Sequence, residues 1–392
     1  MLLRNARIVL PERTTENASL LIRHNLIERI QESPDQLFDE VTIDLAGCTL
    51  YPGFIDVHIH GAVGVDANDS SSDGLQRLAQ FLLHHGVTGW LPTLVPDSGE
   101  SYRRAISAID RLALQQKDAD NRQTNPGARV LGVHYEGPFV SEHQCGALRS
   151  QFFKSFVNGD ELKSLPRLAT ARAAHLITLA PEVAGGIDLI KALVKEDWIV
   201  SLGHTRASID ILEKARAAGA RHMTHFMNAM PPLHHRAPGP VGWGLSQDEV
   251  TCDLIADGEH IDPLVLRLLM KVKGAARLAL ISDSIAAAGL GDGDYNIWDE
   301  TITVTNGRTS NARGSIAGSV ITMLDAVRRM LSQGASEVDV ATMAATNPAR
   351  LLKIDSECGS IEVGKRADLV ALDSAGQVRL TIMGGEIAWR AL

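Results

Sequence analysis

Clusters of basic residues, long apolar runs and paired cysteines are all missing from this sequence of 392 residues. The net charge is −9, and no run of lysine and arginine provides the positive surface that nucleic acids require. No stretch of about 18 apolar residues could span a membrane, and the N-terminus lacks the apolar core of a signal peptide. We therefore predict a cytoplasmic protein that has neither nucleic acid nor membrane as a partner.

The four cysteines are far apart in the sequence, and none of them forms a C-x-x-C pair (Cys48, Cys145, Cys252 and Cys358). Close pairs of this kind are typical of metal and redox sites. We therefore expect free, buried thiols rather than disulfides or metal ligands.

The middle of the chain alternates short apolar runs with segments of helical periodicity, such as Leu75–His85 and Pro263–Lys273. The strand candidates are Gly53–His60, Val87–Val95, Arg129–Glu136, Leu176–Ala180, Trp198–His204, His222–Met227, Cys252–Ala256 and Arg277–Asp283. Eight such units predict an α/β fold of the (β/α)8 TIM-barrel type, whose active site lies at the C-terminal ends of the strands. An open, doubly wound sheet is the alternative, but no G-x-G-x-x-G motif follows a strand.

Both ends of the chain are rich in short β-type runs that are separated by turn residues. We predict that residues 1–52 and 358–392 fold together as a small β-sandwich domain, and that residues 53–357 form the barrel.

Several predicted strands end at or near a polar side chain, and these side chains are of the types that bind metal ions in proteins. His58 and His60 share one face of the first strand, because side chains alternate along a strand. Asp56 lies on the same face, where we expect it to orient a neighbouring group. Later strands end at Glu136, His204, His225 and Asp283.

Each of these residues also has an ordinary structural interpretation, as a hydrogen-bonded core histidine or, for Asp283, as a helix N-cap. Because several strands each bring one of these residues to the same rim of the barrel, we interpret the set as the ligands of a metal-dependent hydrolase. Asp283 would then accept a proton from water and return it to a leaving amine.

Short motifs around these residues resemble the amidohydrolase superfamily and, within it, the family of N-acetylglucosamine-6-phosphate deacetylases. The resemblance covers nearly the whole chain, including Gly364–Leu369 near its end. The motifs are Glu136-Gly137-Pro138-Phe139, Leu179-Ala180-Pro181-Glu182, Gly203-His204-Thr205, residues Thr224–Met230, Asp257-Gly258-Glu259-His260 and Ala317-Gly318-Ser319. Each is weak alone, but their order and spacing make the set specific.

The resemblance implies a role for each residue of the predicted metal site. Glu136, His204 and His225 would hold the principal divalent metal. Some relatives lack the two histidines of the first strand and use a single metal; this chain keeps both, so one or two ions are expected, the second held by His58, His60 and the shared Glu136. Zinc is favoured by the ligand types, with iron and manganese as alternatives. Asp283 would be the catalytic residue, and the products would be acetate and a free amino sugar phosphate.

The resemblance also implies substrate contacts. Backbone N–H groups of Asn228 and Ala229 would bind the phosphate, and His260 would bind the sugar. Arg236 would reach the phosphate in a neighbouring subunit, which implies a homodimer. Ile316 would contact the methyl group of the acetyl.

The sequence departs from the family pattern at Leu148, where relatives carry a histidine that touches the sugar, and at Ser284, where alanine is common. Leucine cannot bind a hydroxyl, so N-acetylgalactosamine 6-phosphate and other acylated amino sugars stay open as substrates.

Three rival functions have less support. A hydantoinase would need a carboxylated lysine after the fourth strand, where the chain has Ala180-Pro181-Glu182. A purine deaminase would not require the motifs around Glu136 and His225. A non-catalytic barrel would be expected to have lost ligands, and all of them are present.

Overall fold

The computed structural model describes residues 1–32, 41–119, 126–170 and 172–391. Residues 33–40 and 392 of the predicted terminal domain, and residues 120–125 and 171 of the predicted barrel, lie outside this description. Within it, no helix is long and apolar enough to cross a membrane.

The first part of the chain contributes five strands to a terminal sheet. They are β1 (Leu2–Val9), β2 (Thr14–Arg23), β3 (Leu26–Gln31), β4 (Thr42–Asp44) and β5 (Thr49–Pro52).

Strands and helices then alternate, as predicted. The strands are β6 (Phe54–Ile59), β7 (Gly61–Ala62), β8 (Val65–Asp66), β9 (Val87–Leu94), β10 (Arg129–Val130), β11 (Gly132–Glu136), β12 (Ala174–Leu179), β13 (Ile199–Leu202), β14 (His222–Met223), β15 (Thr251–Ile255) and β16 (Leu278–Ile281). The helices are α1 (Ser72–His84), α2 (Gly99–Ala119), α3 (Gly186–Lys195), α4 (Ile209–Ala218), α5 (Gly239–Ser246) and α6 (Pro263–Lys273).

Eight parallel strands form the barrel, in the order β6, β9, β11, β12, β13, β14, β15 and β16. The last strand meets the first through two backbone bonds just beyond the ladder. Asp283 N–H donates to His58 O, and His60 N–H donates to Ser284 O, both at 2.9 Å. The TIM-barrel prediction is confirmed.

Burial explains why these segments become barrel strands. Every residue of β6 and β9 is buried, as expected for parallel strands that are covered on both faces. The helices bury one stripe each; α3, for example, packs Leu189, Ile190 and Leu193 inward.

After the barrel, the chain adds a three-stranded antiparallel sheet and three helices that the sequence analysis did not predict. They are β17 (Gly293–Ile297), β18 (Glu300–Thr305), β19 (Arg308–Ser310), α7 (Met323–Ser332), α8 (Glu337–Ala341) and α9 (Asn347–Leu351). The small sheet covers Ile285 with Ile302 and Val304.

The chain ends in β20 (Leu369–Leu372), β21 (Val378–Met383) and β22 (Glu386–Arg390), which join the first five strands in one eight-stranded sheet. Strand β20 pairs antiparallel with β5 and so connects the two ends of the chain. Leu3, Ile8, Leu20 and Leu380 share its apolar core. The predicted small β domain from both termini is confirmed, whereas its boundaries, 1–52 with 358–392 around 53–357, stay a prediction.

All four cysteines are free, as predicted. Cys252 and Cys358 are buried, but Cys48 and Cys145 are partly exposed, so the expectation of burial was wrong for these two. Both lie in connecting segments outside the strands and helices, which run over the surface.

Candidate metal centre and substrate pocket

Three of the predicted site residues lie just beyond their strands, in a backbone conformation that side chains rarely adopt. The φ angles of His204, His225 and Asp283 are 47°, 30° and 50°. The sequence predicts that these strands continue through His204, Met227 and Asp283, but they end at Leu202, Met223 and Ile281, shortly before the chain turns into left-handed backbone. Such conformations cost about 1–3 kcal/mol each and cluster at functional sites.

Glu136, His204 and His225 form the tightest group of potential ligands. Glu136 Oε1 lies 2.9 Å from His204 Nε2 and 2.9 Å from His225 Nε2, and the two imidazole nitrogens are 3.1 Å apart. Tetrahedral zinc with bonds of about 2 Å would hold its ligand atoms roughly 3.3 Å apart. The geometry and the chemistry of these donors therefore fit a zinc-like ion.

A second group of potential ligands shares Glu136 with the first. His60 Nε2 lies 3.4 Å from Glu136 Oε2, and His58 Nε2 lies 3.8 Å from Glu136 Oε1. The nitrogens of the two histidines are 3.2 Å apart. The structure thus brings together all five residues that the sequence predicted as ligands, in two groups that can each hold an ion.

Backbone carbonyls orient two of the imidazoles. Nδ1 of His204 lies 2.7 Å from Gln144 O, and Nδ1 of His60 lies 3.2 Å from Thr93 O. A proton on each Nδ1 leaves Nε2 free to bind a cation, which is the usual arrangement around metal-binding histidines.

Asp283 lies beside the second group, with its Oδ1 3.3 Å from His58 Nε2 and 3.2 Å from His60 Nε2. Burial raises the pKa of the Asp283 carboxyl, but His58 and His60 outweigh burial and hold it well below its usual range. Burial lowers the pKa of His60, whereas Asp283 and Glu136 raise it, with a net result of about 9.

The Glu136 carboxyl is held ionised by its neighbours. Burial raises its pKa, but the hydrogen bonds with His204 and His225 hold the pKa well below its usual range. Carboxylates and imidazoles this close together attract positive charge, so a divalent ion would bind here with release of the imidazole protons.

Asp56 supports the site, in agreement with the orienting role that we expected for it. Its carboxylate accepts from His58 N and Ser282 N, each at 3.3 Å, and from Ser282 Oγ at 2.6 Å. It therefore connects the first barrel strand with the last at the level of the predicted ligands.

A polar layer beneath the site was missed by the sequence analysis. His134 Nε2 lies 2.7 Å from Thr178 Oγ1, which lies 2.7 Å from Thr224 Oγ1, and Ser201 completes the chain at 2.5 Å. His134, Thr178 and Ser201 lie on three neighbouring strands and Thr224 directly follows a fourth, so no local motif in the sequence identifies them.

A pocket of about 330 Å³ opens over the predicted ligands. Four predicted substrate contacts line it (Asn228, Ala229, His260 and Ile316), together with Leu148. His260 is fixed by Asp257, whose Oδ2 lies 2.6 Å from His260 Nδ1. Arg236 is exposed and does not line the pocket.

Trp298 also lines the pocket, and the sequence analysis did not identify it. It belongs to the unpredicted sheet that follows the barrel, and its ring stands edge-on to His60, with centroids 5.1 Å apart. A single tryptophan in a turn gives no signal in the sequence that it reaches a site built by other elements.

Comparison with known proteins agrees with this geometry. The amidohydrolase family model matches residues 49–388. N-acetylglucosamine-6-phosphate deacetylase of Bacillus subtilis is 35% identical over 99% of this chain and 97% of its own length. N-acetylgalactosamine-6-phosphate deacetylase of Escherichia coli O157:H7 is 33% identical over 98% of both chains.

A solved structure supports the same relationship. The crystal structure of N-acetylglucosamine-6-phosphate deacetylase from Thermotoga maritima matches with a TM-score of 0.85 and 32% identity over 100% of both chains. The barrel and the terminal sheet thus occur together in a known enzyme structure. The chain belongs to the amidohydrolase family.

Proposed function

We propose that this protein hydrolyses the N-acetyl group of an amino sugar 6-phosphate, foremost N-acetylglucosamine 6-phosphate, to release acetate and glucosamine 6-phosphate. The observation that carries the proposal is the shared carboxylate of Glu136 between two histidine pairs, with Asp283 about 3.3 Å from the second pair. The relatives named above support the choice of substrate.

The proposal assigns the principal divalent metal, zinc in the first instance, to Glu136, His204 and His225, and a second ion to His58, His60 and Glu136. The donor distances support this assignment. A zinc ion lowers the pKa of its bound water to about 7 and polarises a carbonyl oxygen.

Asp283 performs the proton transfers. Because its pKa is held low, the side chain is a carboxylate at neutral pH and can accept a proton from the attacking water. The new bond joins the water oxygen to the acetyl carbon. When the carbon–nitrogen bond breaks, the same proton passes to the amine nitrogen and Asp283 is a carboxylate again, so that the free amino sugar leaves with acetic acid, which ionises to acetate.

The remaining predicted residues bind and orient the substrate. His260, with its Nδ1 engaged by Asp257, has Nε2 free for a sugar hydroxyl. Ile316 provides an apolar contact for the acetyl methyl. Asn228 and Ala229 both line the pocket. The backbone N–H of Ala229 would meet the phosphate, whereas that of Asn228 already donates to His225 O at 2.9 Å, so Asn228 would contribute its side chain.

A homodimer is part of the proposal. Among the described residues, the lining of the pocket contains neither lysine nor arginine, while a phosphate is usually paired with a guanidinium or an ammonium group. Arg236 is exposed on its own chain and is therefore free to reach the pocket of a second copy. The cytoplasmic location stays a prediction.

The galactosamine epimer is the second candidate substrate. It is favoured by Leu148, which lines the pocket where relatives have a sugar-binding histidine, and by the similarity to the deacetylase of Escherichia coli O157:H7.

Acetate release from N-acetylglucosamine 6-phosphate tests the proposal, with the galactosamine epimer and the unphosphorylated sugar in parallel. We expect turnover of a phosphorylated sugar that Asp283→Asn reduces by about 10²–10⁴-fold, the range for loss of a general acid–base group. Asp294→Asn, at an exposed carboxylate of the small sheet, is the control and should leave the rate unchanged. Absence of acetate from every sugar with metal-replete protein would refute the deacetylase.

A further inference from the structure

The small sheet after the barrel contains two tight turns, and only one of them has a sequence that suits its backbone conformation. Asn306-Gly307 joins β18 to β19, with φ angles of 50° and 75°. Trp298-Asp299 joins β17 to β18, with φ angles of 56° and 62°. Two-residue hairpins with positive φ favour Asn-Gly, and a bulky aromatic residue in this conformation is a genuine outlier. Turn formation therefore does not explain Trp298.

The position of the Trp298 indole does offer an explanation. Its ring lies edge-on against His60, a predicted metal ligand, at 5.1 Å and 82°. It also packs against the buried group of Val95, Val140 and Leu148. Trp298 and Leu148 both line the pocket, so the two form a continuous apolar wall beside the site of reaction.

An ion pair fixes the turn against the loop that carries the other half of this wall. Arg149, the residue after Leu148, lies 3.3 Å from Asp299 and 2.6 Å from Asp97. Its side chain is 13% exposed, whereas that of Asp299 is 88% exposed. The pair contributes little stability, but it shows that the turn carrying Trp298 lies beside the segment carrying Leu148.

The wall offers no hydrogen bond to a substrate hydroxyl. Leucine has no polar side-chain atom. The indole Nε1 of Trp298 is buried and makes no hydrogen bond of normal geometry among the described residues. It lies close enough to the Asp66 carboxyl to lower the pKa of that group, which burial raises, so the N–H is directed at Asp66 and not at a substrate hydroxyl. A hydroxyl placed against the wall would lose its water without a replacement, whereas C–H groups would gain from burial.

Building on the proposed deacetylase, we propose that Trp298 and Leu148 are specificity-determining residues that contact a hydrocarbon face of the sugar beside the reacting amide. The substrate class is an N-acetylated amino sugar phosphate that presents C–H groups, rather than a hydroxyl, to this wall. An analogue in which hydrogen replaces a ring hydroxyl at the wall should therefore be accepted.

The decisive variant is Trp298→Asn with Asp299→Gly. It gives this turn the sequence Asn-Gly, which already joins β18 to β19 in the same sheet. The variant should fold, because Asn-Gly suits this turn, but it should unfold at a lower temperature than the wild type, because the packing of the indole is lost. Its KM for the N-acetylated sugar phosphate should rise about 10-fold, the equivalent of about 1.4 kcal/mol, with a smaller change in kcat. Tyr295→Phe, in the same sheet and outside the pocket lining, is the control and should change neither.

The substrate panel contains the parent sugar phosphate and its 3-deoxy and 4-deoxy analogues. With the wild type, we expect at least one deoxy analogue to match or exceed the kcat/KM of the parent. Leu148→Asn, which adds a hydrogen-bonding group to the wall, should reverse this preference in favour of the parent.

Three results would contradict parts of the account in distinguishable ways. If the wild type releases acetate from no substrate, both the proposed deacetylase activity and the proposed role of Trp298 and Leu148 are refuted. If acetate is released but every deoxy analogue loses 100-fold or more, each hydroxyl has a polar partner and the wall alone is refuted. An unchanged KM in the folded double variant would also refute the wall alone.

Discussion

The mouth of the barrel and the terminal sheet bury different kinds of side chain. The terminal sheet buries an apolar core, with Leu3, Ile8 and Leu20 fully inaccessible. The mouth of the barrel buries ionisable groups instead, among them His204 and Asp283. Buried charge reduces stability, so the comparison indicates that one region stabilises the fold and the other is arranged for chemistry.

The largest effect that follows from this comparison is expected at His204. His204→Asn should abolish binding at the principal metal site and reduce acetate release by more than about 100-fold, the upper limit for groups that merely support a ligand. Metal analysis of the purified variant and the rate of acetate release measure the two effects.

His24→Asn is a matched control for this change. His24 is exposed in the turn between β2 and β3, and its φ angle of 49° is nearly that of His204, at 47°. Asparagine is suited to this conformation, so both substitutions have the same effect on the backbone. Equal losses of metal in the two variants would contradict the assignment of His204.

A core substitution in the terminal sheet should have the converse effect. Leu20→Ala removes a fully buried side chain and should lower the free energy of unfolding by about 2–5 kcal/mol. The kcat of the folded fraction should not change, since the sheet contributes no residue to the pocket lining.

Urea unfolding and kinetics below the transition measure these two quantities. Leu26→Ala, at a residue of the same sheet that is 40% exposed, is the control and should change stability by less than about 0.5 kcal/mol. A Leu20 variant that loses kcat while it stays folded would break the proposed separation of roles.

The smallest effect concerns a buried histidine that belongs to neither region. His175 accepts a hydrogen bond from Leu168 N at 3.0 Å, and burial, with the charge of Arg167, lowers its pKa from 6.5 to about 4. Because the folded protein holds this imidazole neutral, its contribution to stability is complete above pH 6.5 and is lost as the pH falls towards 4.

The expected loss between pH 7 and pH 5 is about 1–2 kcal/mol, measured as the difference in free energy of unfolding between wild type and His175→Gln at the two pH values. His85→Gln, which replaces a partly buried imidazole on a helix end, is the control. An identical pH dependence in wild type and His175→Gln would show that His175 does not titrate as proposed.

The sequence predicted those parts of the molecule whose signal is local. Apolar runs predicted the barrel strands, because strands that are covered on both faces are hydrophobic along their whole length. Helical periodicity predicted α6 to the residue, Pro263–Lys273. The predicted ends of β13, β14 and β16 were too late, since the left-handed backbone that follows each strand has no signature in composition.

The missing parts depend on contacts between distant segments. His134, Thr178 and Thr224 meet because parallel strands align them across the barrel. Trp298 reaches the pocket because a sheet that begins after the last barrel strand folds back over His60. In neither case does spacing along the chain reveal the neighbour, which the fold alone supplies.

The central claim is that the carboxylate and imidazole groups at the barrel mouth act through a bound metal. The most direct measurement is acetate release from N-acetylglucosamine 6-phosphate by protein that has been stripped with a chelator and then titrated with zinc. The account predicts that the stripped protein is inactive and that the rate returns in proportion to the metal bound, in the wild type but not in His204→Asn. Full activity of the metal-free protein would contradict it.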